Sequence, residues 1–245
     1  MFPISDDNPR MGTPIVTWSI IGVCVLVFLW QLSLGEEQGQ VAVFQYGMIP
    51  ARLFGAAELR PELAAVPAWS TVLTSMFMHG GVLHLALNML FLWIFGDNVE
   101  DSMGHLRYLV FYLVCGAAAA MTQALIHPDS TIPMVGASGA ISGVLGAYLL
   151  LHPYATVRVL IFIFLFVTIV HVPAMFVLGL WFLTQIASAA FAPADGPGVA
   201  FWAHVGGFVA GLALVPAFRR NDVTLFQPAH SRPFAVERKA RRPWG

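Results

Sequence analysis

Ile15–Leu34 carries no charged side chain, and about 20 residues of helix suffice to cross the hydrocarbon core of a bilayer. Comparable apolar segments recur along the chain: Thr71–Gly96, Leu106–Ile126, Ser138–Leu151, Pro173–Ala190 and Ala203–Phe218. Inside lipid every backbone N–H and C=O must be satisfied internally, which favours helices for segments of this kind. The composition agrees. Only 10% of residues are charged, against about 25% in a soluble domain. The sequence therefore predicts an all-α membrane protein, a bundle of six transmembrane helices over residues 15–218. A short segment, 1–14, precedes it and a basic tail, 219–245, follows; both ends are expected on the cytoplasmic side.

Val157–Phe191 is too long for one helix and tight for two. Pro173 divides it, because proline removes a helix hydrogen bond and disfavours helix just before it. Pro173–Ala190 then reads as the fifth span and Val157–Val172 as an interfacial or re-entrant piece. Two full spans here would invert the sixth. Charge supports this count: Arg10, Arg107, Arg158, Arg219, Arg220 and, further along the tail, Arg232, Arg238, Lys239, Arg241 and Arg242 fall inside, and only Arg52 and Arg60 outside, a positive-inside bias. The acidic start, "MFPISDDNPRMG", is a poor signal peptide, so the first run reads as an uncleaved span. The tail reads as a disordered segment touching anionic lipid rather than nucleic acid. Cys24 and Cys115 sit in apolar runs and read as small buried hydrophobes.

Polar side chains within spans are costly and need a reason. Three clusters carry them. In "HGGVLHLALNML", His84 and Asn88 share a helix face four residues apart, with His79 one loop earlier. In "PMVGASGAISGVLG", the glycines Gly136, Gly139, Gly143 and Gly146 form a small-residue ridge around Ser138 and Ser142. In "FWAHVGGFVAG", His204 precedes Gly207 and Gly211. For each, helix packing and interhelical hydrogen bonding is the plainer explanation.

Taken together they predict more. Glycine ridges on the fourth and sixth spans let two backbones touch, with Ser138 and His204 near the same end of their helices. Serine becomes a nucleophile when a base takes its proton, and histidine is the usual base. Spacing alone does not choose between Ser138 and Ser142. The spans as drawn hold no Asp or Glu to orient the imidazole, so the expected unit is a dyad. His84, Asn88 and the backbone N–H of Ser138 are candidate donors to an oxyanion.

On these residues the sequence resembles the rhomboid intramembrane serine proteases, from about Trp69 to Phe218. Gly136-Ala137-Ser138-Gly139 matches the family's G-x-S-G, His84-x-x-x-Asn88 its H-x-x-x-N, and Ala203-His204-x-x-Gly207-x-x-x-Gly211 its A-H-x-x-G-x-x-x-G. The resemblance implies Ser138 as nucleophile, His204 as general base, and His84 and Asn88 on the oxyanion side. It implies cleavage of single-pass membrane proteins near the outer face of a cell membrane, the inner membrane of a bacterium, without cofactor or metal. It also implies a first-loop element at about 45–69. The family's Trp-Arg pair reads here as Trp69-Ser70, so hydrogen bonding in that loop must differ.

Other classes fit less well. A zinc protease needs H-E-x-x-H, which is absent. An aspartyl protease needs two membrane aspartates. A transporter would show internal repeats or ion-coupling acids within spans. The serious alternative is a catalytically inactive rhomboid-like protein that binds membrane helices; such proteins usually lack the serine or the histidine, and both are here.

Overall fold

The computed structural model describes residues 2–163, 166–191 and 199–229. Five helices of 18–22 residues are apolar enough to cross a membrane: α1 (Ile15–Ser33), α5 (Val82–Met103), α6 (His105–Ile126), α8 (Ala174–Phe191) and α9 (Phe201–Phe218). Of these, α5, α6, α8 and α9 pack around α7 (Ser138–Leu151), which is shorter and has most of its residues buried, and α1 packs on α5. Between α1 and α5 lie α2 (Gly35–Tyr46), the single turns α3 (Pro50–Leu53) and α4 (Thr71–Thr74), and three 3₁₀ turns, which form the first-loop element. The membrane bundle is helical, as the apolar runs predict.

The second span differs from expectation at both ends. Its helix starts at Val82, not Thr71, because Gly80 and Gly81 break the chain after the 3₁₀ turn Ser75–Phe77. It continues past Gly96 to Met103, so Asp97, Glu100 and Asp101 belong to a span-forming helix after all. Their partners explain why. Glu100 is 1% exposed and accepts from the backbone N–H groups of Val16 (2.9 Å) and Thr17 (2.8 Å), from the Thr17 hydroxyl (2.7 Å) and from His105 Nδ1 (2.6 Å). The first N–H groups of a helix have no partner within it and attract negative charge; Pro14, preceding α1, offers no capping side chain. Glu100 thus caps α1 from another helix. Asp101 does the same for the approach to α1, accepting from Met11 N (2.7 Å) and Gly12 N (3.1 Å).

Val157–Val172, expected as an interfacial or re-entrant piece, is built of strand. It forms an antiparallel hairpin, β2 (Thr156–Ile163) and β3 (Phe166–Pro173), and β1 (Phe2–Asp6) adds a third strand to the outer side of β2. The local sequence is rich in valine and isoleucine, which favour strands. Val157 and Val159 point into the core while Arg158 between them is exposed, the period of two that a half-buried strand requires. The first residues are therefore a strand joined to the bundle: Asp6 accepts from the Tyr148 hydroxyl of α7 (2.5 Å), and Asp7 Oδ1 from Thr156 N (2.6 Å). The described start of the tail also returns to the bundle, with Arg220 N donating to Ser102 O and Phe226 N to Leu150 O. The rest of the tail lies outside the described residues.

Candidate active site

The centre of the bundle is the contact of α7 with α9, made by bare backbone. A Cβ added at Gly207 would lie 2.0 Å from Gly139 O, one at Gly211 2.0 Å from Gly143 O, and one at Gly146 2.4 Å from Phe208 O. No side chain fits between atoms that close. This approach fixes the relative height of the two helices, and Ser138 opens α7 as His204 stands in the first turn of α9. Ser138 Oγ lies 2.8 Å from His204 Nε2. The imidazole is 8% exposed, and the Trp181 ring packs beside it at 5.9 Å between centroids. Ser142, one turn further into α7, is occupied otherwise: its hydroxyl donates to Ser138 O at 2.6 Å, the back-bond typical of serine inside a helix.

Gly136 is not part of the ridge. It precedes α7 with φ +129°, a backbone conformation open to glycine, and a Cβ there would lie 2.8 Å from His84 Nε2. The loop before Ser138 therefore rests directly on the His84 ring. Gly136 N donates to Ser75 O (2.9 Å), and Met134 exchanges two backbone hydrogen bonds with Met48 of the first-loop element. On the other side of the ring, Gly80 N–H donates to His84 Nδ1 at 3.3 Å. That bond leaves the proton on Nε2, the nitrogen facing the glycine loop. Asn88, one turn along α5, is 6% exposed and its Nδ2 is without a hydrogen-bond partner. His79 stacks edge-on against His84 at 5.3 Å, and its own backbone is held by a two-way amide pair with Gln31 of α1.

These groups line one cavity of about 640 Å³, whose walls include Ser138, His204, His84, Asn88 and Trp181. No group of three or more His, Cys, Asp or Glu side chains is placed to hold a metal among the described residues. The first N–H groups of α7, from Ser138 onward, have no carbonyl to accept them within the helix; the first helical bond beyond them runs from Ile141 N to Ala137 O.

Two residues at this end escaped the sequence reading. Gln185 of α8 places Oε1 2.7 Å from His204 Nδ1, so the imidazole has partners on both nitrogens. The signal was present, a lone glutamine in an apolar span, and the cost of polar groups in lipid applied to it equally. Arg52 of α3 donates through Nη2 to Val66 O. A guanidinium thus braces the loop before Trp69 although Ser70 follows that tryptophan. Trp69 itself is 70% exposed.

A multi-pass helical membrane protein with a hydrogen-bonded serine and histidine at the end of a buried helix defines the class. Comparison with known proteins gives the family. The family model described as the Rhomboid domain matches residues 67–221, and the chain belongs to the rhomboid family. It is 35% identical over 139 residues to "Rhomboid protease GluP" of Bacillus subtilis (strain 168), covering 56% of this chain and 25% of that protein. It is 32% identical over 200 residues to "RHOMBOID-like protein 4" of Arabidopsis thaliana, covering 79% of this chain and 44% of that one. "Inactive rhomboid protein 1" of Drosophila melanogaster matches 80 residues at 36% identity, 33% of this chain and 6% of its own length. The chain spans less than half the length of each of these relatives. Family membership supports an intramembrane protease or an inactive relative of one.

Proposed function

We propose that the protein is an intramembrane serine protease that hydrolyses peptide bonds in or near the transmembrane helices of single-pass proteins. The carrying observation is the 2.8 Å approach of Ser138 Oγ to His204 Nε2 inside a cavity. Ser138 attacks the scissile carbonyl carbon as its proton passes to His204 Nε2. The resulting oxyanion accepts hydrogen bonds from His84 Nε2–H, Asn88 Nδ2–H and the backbone N–H of Ser138. His204 then gives its proton to the leaving amine. A water molecule, deprotonated by the same base, hydrolyses the acyl ester and frees Ser138. The partnerless Nδ2 of Asn88 supports its part, because a donor aimed at a transient charge has no ground-state acceptor.

Helix length supports the depth. The 14 residues of α7 span about 21 Å, against about 30 Å of hydrocarbon. With Leu151 level with one surface, Ser138 lies about 9 Å beneath the other. Arg10, Arg107, Arg158, Arg219 and Arg220 gather at the end of the bundle where α1 begins, and Arg52 and Arg60 at the site end. We assign the first end to the cytoplasm of a cell membrane and the site to the outer leaflet. The segment 1–14 and the tail 219–245 flank the membrane domain on that cytoplasmic side.

A fluorophosphonate probe tests the reaction class. Purified protein is expected to label, and Ser138→Ala to abolish labelling without loss of thermal stability. Undiminished labelling of Ser138→Ala would overturn the assignment, and no labelling of either protein would favour an inactive helix-binding relative. Mass-spectrometric mapping of cuts in a panel of single-span proteins then locates the scissile bond.

A further inference from the structure

A histidine base must hold its proton on one nitrogen and offer the other bare. In this site that choice is made at a distance, by atoms whose roles are fixed. The Trp181 carbonyl oxygen is an acceptor only. The Thr184 hydroxyl donates to it at 2.6 Å, so the Thr184 oxygen is left to accept. Gln185 Nε2 lies 3.3 Å from Thr184 Oγ1 and 3.4 Å from Trp181 O, two acceptors, which seats the NH₂ end of the amide there. The carbonyl end, Oε1, then faces His204 Nδ1 at 2.7 Å and can only accept. Nδ1 must carry the proton, and Nε2 presents its lone pair to the Ser138 hydroxyl 2.8 Å away.

We infer that Gln185 is the positioning residue of this site: its amide oxygen holds the His204 Nδ1–H and thereby selects the tautomer that accepts the Ser138 proton. The amide does in this chain what a carboxylate does in a Ser-His-Asp triad as far as orientation goes. It adds no negative charge, so it is tolerable in an apolar helix where an ionised acid would be expensive. The Trp181 ring beside the imidazole limits the tilt of the ring, and Gln185 sets its rotation about the Cβ–Cγ bond. The order of the polarity, from a backbone carbonyl through a hydroxyl to an amide, lies within about one turn of α8 and ends on the imidazole of α9. The part played by Ser138 in this inference rests on the proposed protease activity; the tautomer does not.

Two readouts test it. In protein labelled with ¹⁵N-histidine and reconstituted in lipid, the His204 ring nitrogens are assigned by difference from His204→Ala. The wild-type protein is expected to show a protonated Nδ1 and an unprotonated Nε2. In Gln185→Met, of similar shape and without the strong acceptor, that pattern is expected to give way to a mixture of tautomers. The rate of fluorophosphonate labelling at Ser138 should fall about 10- to 100-fold in a protein that still unfolds cooperatively. Gln185→Glu, which restores an oxygen acceptor, should return labelling to within a few-fold of wild type. Should Gln185→Met lose its fold, Thr184→Val supplies the test: it leaves the amide in place, removes the hydroxyl that orients it, and should broaden the His204 signals and slow labelling by a few-fold. An unchanged tautomer and unchanged labelling in a folded Gln185→Met protein would overturn the inference. A changed tautomer in a protein whose wild type never labels would uphold Gln185 and refute the protease reading.

Discussion

The two ends of the bundle use the same kinds of side chain to opposite effect. Where α1 begins, acids are matched to donors: the buried Glu100 accepts four hydrogen bonds, the half-buried Asp101 holds the backbone of Met11 and Gly12, and the half-buried Asp6 takes the Tyr148 hydroxyl. At the Ser138 end a cavity remains, and the Nδ2 of Asn88 points at no acceptor. A buried donor without a partner costs about 1–3 kcal/mol. The first arrangement joins the amino-terminal strand and α1 to the bundle. On the proposed protease reading, the second accepts a local cost in return for a donor ready for charge that forms only during reaction. Substitutions at the matched end should therefore move stability, and those at the open end should move rate.

Ser138→Ala and His204→Ala give the largest contrast: labelling and cleavage should fall to background while the thermal midpoint holds, because neither change touches the glycine-backbone packing of α7 on α9. A large fall in midpoint for either would mean that the pair holds the bundle together. Gly207→Val crosses the division. Its side chain would enter the space of Gly139 O, so both rate and stability should be lost, and a stable, active variant would show that the helices are free to separate. Asn88→Ala should slow cleavage about 100-fold, the usual cost of one oxyanion donor, and leave the midpoint equal or higher, since it removes an unmatched buried group. Destabilisation there would place Asn88 among the structural residues.

The sequence carried the helical architecture well, because apolar length is a property of contiguous residues. Ile15–Leu34, Leu106–Ile126 and Ser138–Leu151 coincide with α1, α6 and α7 to within one residue. The proximity of Ser138 to His204 followed from the glycines, which let a close approach be inferred from composition at fixed spacing. What stayed hidden depended on partners distant in the chain. Glu100 reads as a loop acid until α1 supplies the unpaired N–H groups of Val16 and Thr17. Val157–Val172 is apolar at most positions, and a run of that kind does not declare strand over helix; its pairing with residues 2–6 is set about 150 positions away. Gln185 was visible as a polar residue in a span, but its target became clear only with α8 laid against α9.

Glu100→Ala sharpens the comparison from the matched end. It strips the acceptor from two backbone N–H groups and the Thr17 hydroxyl, and should cost about 3 kcal/mol, seen as a lower thermal midpoint. The labelling rate at Ser138, at the opposite end, should stay within a few-fold of wild type. A large loss of rate with an unchanged midpoint would break the division between the two ends.

Asp6 offers the smallest and most local test. Burial pushes its carboxyl up from the ordinary 3.8 to about 7; the Tyr148 hydrogen bond opposes the rise, and the nearby Asp97 adds to it. The folded protein therefore keeps a proton on Asp6 over a range of pH in which the unfolded chain has released it. Stability bound up with that proton is fully present below the unfolded value and is lost as pH rises toward 7. Raising the pH through this window should lower the thermal midpoint and loosen β1 from β2, read as faster amide exchange at Leu160, opposite Phe2 in the register. Asp6→Asn keeps a side-chain acceptor for Tyr148 and cannot ionise, so its midpoint should lose this component of the pH dependence. An equal dependence in Asp6→Asn would assign the titration to another group and leave the β1 contact indifferent to pH.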